Sequence, residues 1–276
     1  MRVSGFTIVK NATILQYPLI ECIQSILPIV DEYVVLVGKS DDDTVARVEA
    51  IGSPKIRILH HEWDDTVRSG GIFFSMLTNE AFRACTGDWV FCLQADEVIH
   101  EQDIPTLVRL MEENLDRKRI KAISLRFRHF YGDYLTYNPY GHRKAERILR
   151  NDPDVIALGD AVGFGLRSDP TGKRIQEGPR EQVLISNVHI YHYSWVKDRR
   201  ALTEKWNLLQ PYYSGDKASK IEEYPFDLRM VKRFRGTHPK VMERRIAEFQ
   251  SPLPRYPSRW LNPKFYGYLL RHGYKG

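Results

Sequence analysis

Gly87-Asp88-Trp89-Val90-Phe91-Cys92-Leu93-Gln94-Ala95-Asp96-Glu97 runs without a break through the apolar stretch Trp89–Leu93 and ends in two adjacent carboxylates. A run this short and this apolar is a strand buried on both faces, as in parallel sheets covered by helices on each side. Ligands of such sheets bind beyond the carboxyl ends of the strands, where Asp96 and Glu97 stand. One carboxylate there can hold a divalent cation that neutralises a diphosphate, while its neighbour faces the opposite way. A strand closed by an acidic turn for structural reasons alone has the same pattern.

Upstream, Val3–Lys10 reads as a strand, and Leu19, Ile20, Ile23, Ile26 and Leu27 fall on one helical face. Tyr33–Val37 is a second strand, followed by the Ser40–Thr44 turn, a short helix through Val45 and Val48, and the strand Lys55–His60. Phe73, Phe74, Leu77, Ala81 and Phe82 predict a longer helix, stopped at Gly87 as a C′ glycine. Downstream, Asp103-Ile104-Pro105-Thr106 opens a helix with Leu107, Leu110, Met111 and Leu115 on one face. Ala122–Phe130 is a strand, and residues 131–180, rich in Gly, Pro, Asp and aromatics, read as loops that shape a site. Val183–Trp195 is one long strand or a strand pair, with helices expected near 197–210 and 240–249. Strands alternating with helices predict an α/β fold with a parallel sheet and right-handed crossovers.

The composition of the 276 residues, 42% hydrophobic and 28% charged, excludes collagen, disorder and low-complexity arrays. Cys22, Cys85 and Cys92 are odd in number, widely spaced and outside any Cys-x-x-Cys pattern, which predicts reduced thiols in a cytoplasmic protein. No segment approaches the roughly 20 apolar residues that span a bilayer. The net charge of +6 is unevenly spread: residues 1–100 carry 8 Lys and Arg against 14 Asp and Glu, the remainder 33 against 21. A basic second half suits an anionic partner such as a diphosphate, an anionic membrane surface or nucleic acid. Scattered, solvated charge is the bland alternative.

The chain resembles the family 2 glycosyltransferases. The resemblance is carried by Phe6–Ala12, Val30–Val35, Ser40–Thr44, Asn79-Glu80-Ala81 and Gly87–Glu97, and further along by Phe130–Asp133, Arg147–Asn151, Gly159–Phe164, His189–Trp195 and Phe234–Pro239. It implies the GT-A nucleotide-diphosphosugar fold, an α/β, Rossmann-like, mostly parallel sheet flanked by helices, with a C-terminal helical or irregular extension. Residues 1–200 are then one GT-A catalytic domain, with 1–115 the nucleotide-sugar half and 116–200 the acceptor half. Residues 201–276 are the basic, aromatic extension.

By the same resemblance Asp96 is the final Asp of the family's Asp-x-Asp element, and the chain departs from the pattern with Gln94 in the first position. It departs again at Gly38, where family members commonly place an Asp that contacts base or ribose. Lys10, Asn11, Ser40, Asp42, Gln94 and Asp96 are the expected nucleotide-sugar contacts, although Asp41, Asp42 and Asp43 read equally well as a helix N-cap cluster. Alternation along a strand puts His189 and His192 on opposite faces. The family's late His ligand maps onto His192, so Asp96 and His192 are the expected ligands of Mn²⁺ or Mg²⁺, and His189 is left structural. Asp160, in a Gly-flanked loop, is the expected catalytic base, with Glu97 and Glu181 as rivals; its bland reading is a loop Asp bonding its own backbone.

The implied activity is a metal-dependent hexosyl or related transfer, with inversion, from a nucleotide-diphosphate sugar to a hydroxyl of a glycan or glycolipid precursor. A catalytically silent nucleotide-sugar-binding protein is the alternative, distinguished by nucleotide binding without donor turnover. No nucleic acid is expected as a partner, because the first half is acidic and no nucleic-acid motif is present. Cations and aromatics in the tail, among them Arg255, Tyr256, Arg259, Trp260, Phe265, Tyr266 and Arg271, suit weak association with the inner face of the membrane.

Overall fold

The four strands β1 (Val3–Val9), β2 (Glu32–Gly38), β3 (Ile56–His61) and β4 (Trp89–Cys92) run parallel in the order β3-β2-β1-β4. Helices α1 (Leu19–Ile26), α2 (Thr44–Glu49) and α3 (Ile72–Arg83) make the crossovers between them. The computed structural model describes residues 1–63, 70–139, 141–214, 219–222, 231–250 and 263–273. Alternate residues of β2 feed two cores: Tyr33, Val35 and Val37 pack with Leu19, Ile23 and Ile26 of α1, while Val34 and Leu36 pack with Phe73, Leu77 and Phe82 of α3. That double burial explains the unbroken apolar runs of these strands. Helix α3 ends at Arg83 rather than at Gly87. Gly87 instead lies in the following loop, where a Cβ would stand 2.7 Å from the backbone N of Ser4.

Beyond β4 the sheet continues antiparallel through β8 (Lys144–Arg150), β6 (Ala122–Tyr131), β7 (Asp133–Asn138) and the short β12 (Lys232–Arg233). Helix α4 (Ile104–Glu113) covers the α1 side through Leu107 and Met111. The stretch expected to be loops, 131–180, therefore holds β7 and β8, and also the two-stranded sheet of β9 (Val155–Leu158) and β10 (Gly163–Leu166). Val183–Trp195 is a single strand, β11, lying between β6, to which it is parallel, and the antiparallel β5 (Glu97–Ile99).

Helix α5 (Arg199–Ser214) follows, so the boundary expected at residue 200 falls inside a helix. The helix expected at 240–249 is a 3₁₀ turn at Lys240–Met242 continued by α6 (Glu243–Glu248), and α7 (Pro263–His272) occupies part of the tail. Arg255, Tyr256, Arg259 and Trp260 lie outside the described residues. Among the described residues no helix is long and apolar enough to cross a membrane. Cys22, Cys85 and Cys92 are free and buried.

From β1 the chain winds outward to β3 on one side and returns to β4 on the other. The carboxyl ends of β1 and β4 thus border the topological switch point of the sheet.

Candidate active site

A cavity of about 620 Å³ opens at this switch point, and Lys10, Gln94, Asp96, Asp160, His192 and Lys205 are among its walls. Its size is that of a small-molecule site. Strand pairing places Asp96 and His192 together. β11 runs beside β5 with His192 opposite Glu97, and the N–H of Tyr193 donates to the carbonyl of Asp96 at 2.8 Å. On the other edge of β11, His192 is in register with His129 of β6.

A chain of hydrogen bonds fixes the protons on these imidazoles. Nε2 of His129 lies 2.7 Å from the carbonyl oxygen of His142 and must donate, because a carbonyl only accepts. Burial, opposed by Asp96, and the nearby His129 keep the His192 ring well below its ordinary pKa, and burial likewise lowers that of His129. Both rings are therefore neutral near pH 7. His129 accepts at Nδ1, and His192 donates from its own Nδ1 across 2.8 Å. Nε2 of His192 is left with a lone pair aimed at Oδ1 of Asp96, 3.7 Å away. That oxygen is buried and has no hydrogen-bond partner among the described residues.

Burial pushes the Asp96 carboxyl up, but the nearby ammonium groups of Lys205 and Lys197 oppose it and the net shift is downward, so the group stays ionised beside the neutral His192 ring. Two acceptors then confront each other with no proton between them, an arrangement a cation relieves. Two ligands each about 2.1 Å from one ion stand at most about 4.2 Å apart, so the two atoms are near enough for one ion to reach both. A neutral imidazole oriented through its second nitrogen is also the usual form of a metal-binding His. Among the described residues no three His, Cys, Asp or Glu gather to hold a metal, so these two would share it with oxygens of a ligand.

Gln94 does not stand in for a second carboxylate. Its Nε2 reaches the carbonyl of Ala161 at 3.5 Å, tying the end of β4 to the loop that carries Asp160. Asp160 faces the cavity, and its Oδ1 accepts from the N–H of Val162 at 3.2 Å, the local bond of a loop aspartate. Its other oxygen makes no hydrogen bond within the described residues. The loop turns on Ala161, whose φ is 61°, and packs so closely on Gly71 that a Cβ there would lie 2.6 Å from Cβ of Asp160.

The other expected residues are placed differently. Glu97 is fully buried, and Arg147 grips it with Nε to Oε2 and Nη2 to Oε1, both at 2.8 Å. A carboxylate so paired, and absent from the cavity wall, is not a base for a substrate there; this corrects the expectation for Glu97. Glu181 is exposed, in the 3₁₀ turn Arg180–Gln182 just before β11, and the nine-residue step along the strand from Val183 to His192 puts it on the order of 30 Å from His192.

Asn11, Ser40 and Asp42 also stay out of the cavity wall. The N–H of Asn11 donates to Oγ of Ser40 at 3.0 Å, and Oδ2 of Asp42 accepts from Thr13 and Ile14, both at 2.9 Å. These residues lace the loop after β1 to the turn after β2. His189 lies on the opposite face of β11, as alternation requires. Lys10 does face the cavity, 5.6 Å from the ring of Trp63. That ring explains Gly38, because a Cβ at this position would come within 2.3 Å of Nε1 of the indole.

Lys205, His129 and Trp63 were not singled out by sequence reasoning. Lys205 left one sign: it sits in line with Leu202 and Leu209 on the apolar stripe of α5, where a lysine is out of place. It is buried, with Nζ bonded to Oγ of Ser194.

The sequence matches glycosyl transferase family 2 over residues 6–169. A TPR repeat-containing protein of Synechococcus elongatus is 29% identical over 184 residues, which are 64% of this chain; the match takes in 39% of that protein's length. Among solved structures, the chain is similar to S. aureus TarS 1–349 in complex with UDP-GlcNAc, with a TM-score of 0.45, 14% identity, and coverage of 74% of this chain and 61% of that one. It is also similar to glucosyl-3-phosphoglycerate synthase from Mycobacterium tuberculosis in complex with Mn²⁺, UDP and glucosyl-3-phosphoglycerate, with a TM-score of 0.47, 18% identity, and coverage of 78% and 81%. With more than half of its length matched, and with the acidic strand end lying inside that match, the chain belongs to glycosyl transferase family 2.

Proposed function

We propose that this chain transfers a sugar, with inversion, from a nucleotide-diphosphate donor to a hydroxyl of a glycan or glycolipid precursor. The observation that carries the reading is the confrontation of Asp96 Oδ1 and His192 Nε2 at the switch point of the sheet. Asp96 and His192 would hold a Mn²⁺ or Mg²⁺ ion, which when bound would supply positive charge for the departing diphosphate, and His129 fixes the tautomer of His192. Lys10 and Lys205 add cationic charge at the walls of the same cavity. Asp160 is the group that takes the acceptor's proton, a role in which a positioned carboxylate is worth about 10²–10⁴ in rate. Gln94 holds the Asp160 loop against the strand end. Residues 1–200 form the catalytic domain in this reading, and α5 from the following segment completes the donor cavity.

The test is a panel of nucleoside diphosphates and nucleotide sugars, each with and without Mn²⁺, scored by thermal stability and by release of nucleotide from the donor. A ligand at about 100 times its dissociation constant stabilises by about 2.7 kcal/mol, enough to resolve. The expected result is one base whose diphosphate stabilises the chain only with the metal, an effect lost in Asp96→Asn, together with slow donor hydrolysis. Stabilisation without any donor turnover, even with acceptors added, would make the chain a silent nucleotide-sugar-binding protein. No stabilisation by any nucleotide would end the reading.

A further inference from the structure

Strand β6 passes from its pairing with β8, which ends at Arg126, to its pairing with β7, which begins at His129, and the N–H of Phe127 between them donates to the carbonyl of Arg143 at 2.9 Å. There a second cavity of about 420 Å³ shares His129, Asn138, Gly141 and His142 with the first. Its own walls include Arg126, Arg128, Arg143 and His189, and no Asp or Glu lines it. Arg126 and Arg128 fall on one face of β6 by alternation, and His189 joins them because it is in register with Arg126. Among the described residues none of the three arginines has a carboxylate within ion-pair distance.

Arg128 is already fixed. Its guanidinium lies 5.9 Å from the ring of Tyr137, 5.6 Å from that of Tyr191 and 4.9 Å from that of Phe234. Aromatic faces satisfy the charge of a guanidinium but none of its N–H donors, so the planar fork remains open for an oxyanion. Gly141 keeps the wall between the two cavities thin, since a Cβ there would come within 2.4 Å of the His129 ring.

Resting on the glycosyl-transfer reading above, we propose that the acceptor is anionic. Its phosphate group is held in this second cavity by Arg126, Arg128 and Arg143, with the hydroxyl that receives the sugar reaching past His129 into the first. Three unpaired guanidinium groups beside a cavity that already needs a metal for a diphosphate repel cationic acceptors and give a neutral sugar nothing to pair with.

The experiment uses the full chain and glycerol 3-phosphate as probe, with glycerol as the neutral control, followed by calorimetry in the wild type, Arg126→Gln, Arg143→Gln and Asp96→Asn. Arg126 and Arg143 are exposed, so their variants keep the fold; Arg128→Lys is a further variant that retains the charge and loses the fork. The expected result is binding of the phosphate ester and not of glycerol, weakened about tenfold by each Arg→Gln change and unaffected by Asp96→Asn. Vesicles of phosphatidate in phosphatidylcholine form a second arm. Arg-dependent binding of the vesicles would assign the phosphate to a lipid acceptor, and Arg-dependent binding of the soluble ester alone to a soluble one. No binding in either arm, or binding lost in Asp96→Asn and kept in the Arg variants, overturns the proposal. Phosphate binding in a chain that ignores every nucleotide would leave this cavity standing and remove the donor reading instead.

Discussion

Nζ of Lys205 lies 3.6 Å from Oδ2 of Asp96, while His192 faces the other oxygen of the same carboxylate. A helix that begins only after β11 thus brings a buried cation to the acidic end of β4. Burial pulls the Lys205 ammonium down, and Asp96 opposes that shift. With a diphosphate in the cavity, the same ammonium is placed to add to the charge that binds it.

Lys205→Met should therefore weaken a metal-bound nucleoside diphosphate by about tenfold, the scale of one hydrogen bond to a charged group. Calorimetry with Mn²⁺ present measures it. Unchanged nucleotide affinity in a folded variant would leave Lys205 as a structural partner of Asp96 alone.

The pairing of His192 with Asp96 was legible in the sequence because its premises are local. An apolar strand ends in an acid, alternation puts the two histidines on opposite faces, and the family resemblance chooses His192 between them. The strand β8 was not legible for an equally physical reason. In Lys144-Ala145-Glu146-Arg147-Ile148-Leu149-Arg150 three of the four charged residues are buried against partners: Glu146 with Arg174 at 3.0 Å, Arg147 with Glu97 at 2.8 Å, and Arg150 at 3.9 Å over the ring of Trp89. Partners 28 and 50 residues away decide that burial, and no periodicity reveals them. Trp63 was hidden in the same way, since Gly38 reads as a missing acid until the indole over it is seen.

His192→Ala should lower Mn²⁺-linked nucleotide affinity at least tenfold, whereas His189→Ala, on the opposite face of β11, should leave that affinity unchanged. Paired titrations of the two variants decide the matter. If the two effects were exchanged, the donor site would lie on the arginine-rich face.

Acid should destabilise the fold through the same histidines. His129 and His192 both have pKa values depressed by burial, so the unfolded chain takes up protons first, and stability falls as pH drops below the unfolded value of about 6.5. The slope is up to about 1.4 kcal/mol per pH unit for each imidazole. Urea midpoints at pH 7.5 and 5.5 test this, and equal midpoints would mean that these rings are already protonated in the fold.

Glu97→Gln should act on stability rather than on proton transfer. Removing one member of a buried ion pair leaves Arg147 uncompensated and costs about 3–5 kcal/mol. Denaturation curves give that loss directly. A variant as stable as the wild type but inactive would restore Glu97 as a base.

Asp160→Asn preserves the shape of the loop, because an amide oxygen still accepts from the N–H of Val162. It cannot take a proton from an acceptor hydroxyl. Donor binding should persist, since neither Asp96 nor His192 is touched, while transfer falls by about 10² or more. Slow hydrolysis of the donor by water should fall as well if water uses the same base. Nucleotide affinity and turnover measured on one preparation separate loss of the base from general damage, because damage lowers both. Retained transfer in Asp160→Asn would return this residue to a loop-forming role, held by Gln94 through Ala161 and packed on Gly71, and the proton would have to leave by another group on the cavity wall.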